Sequence, residues 1–211
     1  MISGIIKSIK LNQEYRCIAS IDPGKNGGIT FISTLYRNFW SYPMPTIKIK
    51  TKSEQTVFKR DSKGNKILIK SGPNKGQFKK TIKTPAKYRI ELDTVQINKL
   101  FKDYNVEVLV IERIGRTIGN SSASSTTVAT NYGKLLCIAE LLNIPIVSVA
   151  PNKWKKDLSL PSDKEPTIEF VEKLTLKSFR TTRGKLLDGQ ADSFSIGYWY
   201  LTKKGINNGN I

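Results

Sequence analysis

The stretch Cys17 to Phe31, CIASIDPGKNGGITF, constrains the chain more than any other. Cys17 to Ile21 is a short apolar run bounded by turn residues, and Gly28 to Ile32 repeats the pattern, so the pair reads as two buried strands of a hairpin. Asp22 stands where the first strand ends. Pro23 fixes φ there, and Gly24, Gly27 and Gly28 permit close backbone approach. Taken alone, Asp22-Pro23-Gly24 fits plain turn chemistry as well as a rigidly held charge. The glycine spacing matches neither the dinucleotide fingerprint nor the P-loop, so any function for Asp22 needs partners from elsewhere.

The 211 residues suit one domain of ordinary size with an insertion. The chain carries 35 Lys and Arg against 17 Asp and Glu, a formal charge of +18, which favours a polyanionic partner, nucleic acid ahead of an acidic membrane surface. It has no histidine, which excludes His-based zinc sites and His-activated hydrolysis. Cys17 and Cys137 both sit in apolar sequence and read as two buried thiols in a reducing compartment. Lys7 and Lys10 break the apolar N-terminus, and no run of about 18 apolar residues occurs. The expectation is a soluble cytoplasmic protein with no signal peptide and no membrane span.

Tyr36 to Tyr42 is aromatic and strand-like and would complete a three-stranded antiparallel unit ended by Pro43 and Pro45. From 46 to 90 there are 14 Lys and Arg against Glu54 and Asp61, a net +12 in 45 residues. Strand-like runs alternate there with turn signals, which predicts a basic β-hairpin or small meander rather than a solvated loop, with Phe58, Ile67, Leu68, Ile69, Phe78 and Ile82 as its apolar content. From Glu91 the spacing turns helical, and Val106 to Ile111 is a nearly continuous apolar run typical of a strand covered on both faces, ending in Glu112.

Val128, Tyr132, Leu135, Leu136, Ala139 and Leu142 form one helical stripe, and Ile144 to Val149 reads as another buried strand. Ala150 to Lys156 reads as a basic turn carrying Trp154. Ser162 and Glu165 offer a capping box for a helix with Ile168, Val171 and Leu174 on its apolar side. Lys177 to Lys185 is a basic loop. A last helix places Leu187, Ala191, Phe194, Tyr198 and Leu201 on one face, with Asp188 and Asp192 four apart on an adjacent one. The order predicts a mixed five-stranded α/β sheet flanked by helices.

Asp22 and Glu112 at strand ends, with Asp188 and Asp192 on a helix, make an all-carboxylate set. Such a set suits hard cations that bind oxygen, Mg²⁺ with Mn²⁺ as substitute, and two ions about 4 Å apart suit phosphodiester hydrolysis.

IDPGKNGGI at 21 to 29, VIE at 110 to 112, APNKWKK at 150 to 156 and DGQADS at 188 to 193 stand in the order and spacing of the RuvC-like Holliday junction resolvases, especially the phage type, which the chain resembles across nearly its whole length. The resemblance implies an RNase H-like core and a Mg²⁺-dependent homodimer that nicks a four-way DNA junction symmetrically. It makes Asp22, Glu112 and Asp192 metal ligands, with Asp188 a fourth, and places Lys155 on DNA or the scissile phosphate. The helix from about 125 to 143 would lie between subunits.

DNA contacts are expected from Lys153, Trp154, Lys156, Arg113, Arg116, Arg180, Arg183 and Lys185. Lys59, Arg60, Lys66, Lys79 and Lys80 are expected to add contacts from the basic insertion. Cellular members carry an aromatic residue shortly after the equivalent of Glu112, where this chain has Ile114, Gly115 and Arg116. The insertion at 46 to 90 has no counterpart in compact members and reads as a DNA-clamping arm. A broader branched-DNA or flap nuclease, or a non-catalytic basic DNA-binding protein, are the alternative readings.

Overall fold

A computed structural model describes residues 16–24, 26–35, 38–53, 55–115 and 122–204. Five strands form the central sheet: β1 (Cys17–Asp22), β2 (Gly28–Ser33), β3 (Phe39–Pro43), β8 (Val106–Glu112) and β9 (Ile146–Val149), in the order β3-β2-β1-β8-β9. β1, β2 and β3 run as an antiparallel meander, whereas β8 lies parallel to both β1 and β9. This is the mixed five-stranded α/β sheet flanked by helices expected from the sequence. The predicted strand from Tyr36 begins at Phe39, and residues 36–37 lie outside the described residues.

Strand alternation decides what each face holds. Cys17, Ala19, Ile21, Ile29, Phe31, Leu109 and Ile111 point to one side, into a core shared with α1 (Thr94–Asp103) and α2 (Ser122–Leu141). Phe31 stacks on Tyr104 with ring centroids 4.2 Å apart. Asp93 caps α1, its Oδ1 accepting the Gln96 N–H at 2.9 Å. On the opposite side Ile18 and Ile32 pack against α4 (Lys164–Thr175) and α5 (Asp188–Lys203), and Val110 and Val149 pack on Trp154 and Ile196. Counting by twos along β1 and β8, Asp22 and Glu112 project to the α5 side.

Three local expectations change. Ala150 to Lys156 is not a turn but the start of a short helix, α3 (Pro151–Asp157), opened by Pro151, whose fixed φ and missing N–H suit a first helical position. No Ser162–Glu165 capping box forms. The N-cap of α4 is Asp163, and Glu165 pairs instead with Arg180 at 2.5 Å. Cys137 is exposed on α2, while Cys17 is buried and its thiol is pushed up to about 12 by burial. Among the described residues no helix is long and apolar enough to cross a membrane.

Residues 47–91 form a compact unit of their own. β4 (Thr46–Lys52) lies beside β7 (Lys87–Leu92) in one two-stranded sheet, and β5 (Gln55–Phe58) pairs antiparallel with β6 (Lys80–Thr84) in another. Single bridges Arg60 to Lys66 and Leu68 to Phe78 add the intervening segment. The apolar side chains between basic positions give this segment defined β structure. The side chain of Ile82 lies outside the described residues.

Candidate active site

Parallel pairing of β1 with β8 sets Ile21 opposite Ile111, so Asp22 and Glu112 leave the sheet side by side at the same edge. The first turn of α5 comes to that edge because glycines let the backbones touch. Gly27 bridges Gly189, and a Cβ on Gly28 would stand 2.4 Å from the Gly189 carbonyl oxygen. Farther along, Ser193 Oγ and Thr30 Oγ1 share a buried hydrogen bond of 2.7 Å, and Gln190 Nε2 donates to the Ser41 carbonyl at 3.0 Å. These contacts fix the rotation of α5, turning Asp188 and Asp192 towards the strand ends.

All four carboxylates are half-buried. Burial raises Asp22 above its ordinary range, opposed by the Gly24 N–H that its Oδ1 accepts at 3.1 Å and reinforced by the Asp188 charge. Glu112 is pushed up to about 7, first by burial and then by Asp22 and Asp192, even though Trp154 Nε1–H donates to its Oε2 at 2.8 Å. Asp192 rises to about 6 through burial, with the Lys155 ammonium holding it down and Asp22 and Asp188 pushing it up. Asp22 therefore pushes up both Glu112 and Asp192, Asp188 pushes up Asp22 and Asp192, and Lys155 lowers Asp22, Glu112 and Asp192. The cluster joins two strands and a helix that lie far apart in sequence.

Asp188 is ion-paired with Lys164, a residue for which the sequence carries no signal beyond its charge. Lys164 also faces Asp192 and Asp22 and has its own pKa raised by Asp188. Beside this pair opens a cleft of about 410 Å³ lined by Asn26, Met44, Lys164, Lys185, Asp188 and Gln190, among others. Among the described residues no three His, Cys, Asp or Glu side chains converge tightly enough to form a finished metal site. Two of the carboxylates are engaged elsewhere, Glu112 with Trp154 and Asp188 with Lys164. The donor set is nevertheless all oxygen, and the Asp192 carboxylate accepts no hydrogen bond from the described residues. That chemistry fits hard divalent cations.

The remaining expected contacts divide. Trp154 is fully buried and bonded to Glu112, so it positions a carboxylate and is unavailable to DNA. Arg180, partly exposed, ties Glu165 and Glu172 of α4 to the following loop, so its guanidinium is engaged by two carboxylates. Lys153 pairs with Asp157 at 3.0 Å. Arg113, Lys156, Arg183 and Lys185 are exposed, as are Lys59, Arg60, Lys66, Lys79 and Lys80. Arg116 lies outside the described residues.

No family model and no curated protein matches the chain. Among solved structures it is similar to RuvC of Thermus thermophilus in complex with a Holliday junction substrate, at 11% identity and a TM-score of 0.47, covering 90% of this chain and 97% of that one. It is similar also to a second Thermus thermophilus RuvC structure, at 12% identity and a TM-score of 0.46 with the same coverage. Likeness at that level identifies no relative, and the chemistry of the carboxylate cluster carries the functional reading.

Proposed function

We propose that this protein is a divalent-metal-dependent, structure-selective DNA endonuclease that hydrolyses phosphodiesters at branched DNA, four-way junctions foremost. The observation that carries this reading is the gathering of Asp22, Glu112 and Asp192 about Lys155 at one sheet edge, with Asp188 acting on Asp22 and Asp192, in a chain of charge +18. Mutually repelling, half-buried carboxylates cost stability unless a cation offsets them. A basic surface brings a polyanion to them.

Asp22, Glu112 and Asp192 would hold Mg²⁺ or Mn²⁺, two ions per site, with Asp188 as fourth ligand once it exchanges Lys164. Such ions, when bound, activate water and stabilise the leaving oxygen of a phosphodiester. Lys155 offers the scissile phosphate a positive charge among these acids. Lys164 and Lys185, lining the adjacent cleft, suit the neighbouring phosphates. Trp154 keeps Glu112 in place through its indole N–H.

Paired symmetric nicks need two sites, and a homodimer is part of this reading. A groove between α1 and α2, lined by Val95, Ile138, Leu141 and Leu142, supports it, because Val95 and Leu141 are 79% and 78% exposed, more than isolated apolar side chains need be. Light scattering behind size exclusion is expected to give twice the chain mass, and Leu141→Glu to give the monomer.

The deciding experiment is cleavage of an end-labelled four-way junction, in Mg²⁺ or in chelator, by the wild type and Asp22→Asn. Religatable paired nicks from the wild type in Mg²⁺ alone are the expected result. Comparable activity on flaps and forks would point to a broader branched-DNA nuclease. Tight junction binding by both proteins with no cutting would leave a basic DNA-binding protein, the reading favoured by the incomplete convergence of the carboxylates.

A further inference from the structure

The unit at 47–91 carries a surface that the carboxylate site does not explain. Phe58 pairs with Lys80 across β5 and β6, Leu68 with Phe78, and Arg60 with Lys66. Residues two apart on a strand share a face, so Phe58, Arg60, Lys66, Leu68, Phe78 and Lys80 stand together on one side. Backbone hydrogen bonds from Lys59 N–H to the Lys79 carbonyl and from Lys79 N–H to the Ile67 carbonyl, both 2.7 Å, hold the three segments in register. Phe58 and Phe78 meet edge to face at 5.7 Å while remaining 39% and 43% exposed. Lys66 Nζ lies over both rings, at 4.3 and 5.2 Å, and Lys80 Nζ lies 5.7 Å from the Phe58 centroid. None of the six is acidic, and Asp61, in the adjoining turn, has its Oδ1 occupied by the N–H groups of Lys63 and Asn65.

We propose that this face is a stacking platform for unpaired bases: it binds a single-stranded nucleic-acid segment, with Phe58 and Phe78 under the bases and Arg60, Lys66 and Lys80 on the phosphates. Charge complementarity selects a polyanion. The exposed rings then select among polyanions, because a duplex buries its base faces by stacking and offers a platform only phosphates and groove edges, whereas unpaired bases present free π-faces. Lysines already seated over the rings show that both faces accept a cation, and an arriving base takes that position as the ammonium moves to the adjoining phosphate. This goes beyond the nuclease reading and does not depend on it.

The test uses the full chain in chelator, so that catalysis plays no part. Binding of a labelled 20-nucleotide single strand carrying 2-aminopurine is compared with binding of the corresponding duplex, for the wild type, Phe58→Leu/Phe78→Leu and Phe58→Tyr/Phe78→Tyr. Leucine keeps an apolar side chain of nearly similar bulk, and circular dichroism checks that the fold is kept. The wild type is expected to quench the 2-aminopurine, and the leucine variant to lose the quenching and at least about tenfold in single-strand affinity, with duplex affinity changed less than about twofold. The tyrosine variant is expected to keep both. The slope of affinity against salt should stay the same, since every cation remains. Unchanged single-strand binding by the leucine variant overturns the proposal. So does an equal loss on duplex, which would make the rings structural, or preference for anionic vesicles over DNA. A chain that never cuts junctions but shows the discrimination leaves this inference standing and removes only the nuclease.

Discussion

At the scale of single residues, the carboxylates at the sheet edge are held at a cost. Asp192 rises from an ordinary 3.8 to about 6, so its charged form is disfavoured in the folded chain. The effect on folding is absent below about pH 4, where the group is protonated both folded and unfolded. It grows between there and pH 6 and is complete above it. Asp192→Asn should therefore stabilise the metal-free protein at pH 8 by at most about 3 kcal/mol, seen as a higher melting temperature, and leave it nearly unchanged at pH 4. A lower melting temperature at pH 8 would contradict the picture of a carboxylate held charged against burial and its acidic neighbours. Trp154→Phe keeps the buried ring but removes the N–H donated to Glu112. That bond favours the charged carboxylate, so its loss should move Glu112 further above about 7 and shift the acidic limb of the pH–rate profile upward, with about 1–3 kcal/mol of destabilisation. A profile that stays in place would mean Glu112 is not needed in its charged form.

At the scale of elements, α5 matters most, because its contact with the turn after β1 sets where two of the four acids stand. A Cβ on Gly189 would lie 2.2 Å from the Asn26 carbonyl oxygen, a backbone atom with little room to yield. Gly189→Ala should cost about 1–3 kcal/mol in chemical denaturation and move Asp188 and Asp192 away from Asp22. Gly133, inside α2, has open space where its Cβ would be. The matching Gly133→Ala should stabilise by about 0.5–1 kcal/mol. If both substitutions behaved alike, close backbone approach would not be what docks α5. The acids at 188 and 192 were legible from their helical spacing and the apolar stripe beside them. The glycine contact was not, because a Gly-rich turn after an aspartate reads equally well as an ordinary turn until the helix that meets it is in place.

At the scale of the whole molecule, the charge is divided between two units. Residues 47–91 carry 14 Lys and Arg against Glu54, Asp61 and Glu91, which is +11 of the +18, and the other residues carry +7. The Asp93 N–H donates to the Pro45 carbonyl at 3.0 Å, so the chain leaves and re-enters the larger unit at adjoining points. Replacing 47–91 with a short Gly-Ser linker should leave the larger unit folded, its melting temperature little changed. Junction affinity should fall sharply and the slope of log affinity against log salt should flatten, since fewer counterions are released. Unchanged junction binding by this variant would remove the arm from DNA recognition.

Periodicity and parity alone determined much of this protein. Short apolar runs bounded by turn residues marked the strands of the central sheet, helical spacing marked the apolar faces of α2, α4 and α5, and the lack of histidine excluded His-based zinc sites and His-activated hydrolysis. Tertiary structure decided what no local pattern encodes. It made Trp154 the buried partner of Glu112 rather than a DNA contact, bound Arg180 to α4, brought Lys164 to Asp188 and left Cys137 exposed. The physical reason is range: a backbone pattern repeats within a few residues and can be read in one window. A partner 42 residues away, as Trp154 is from Glu112, exists only once two elements have packed.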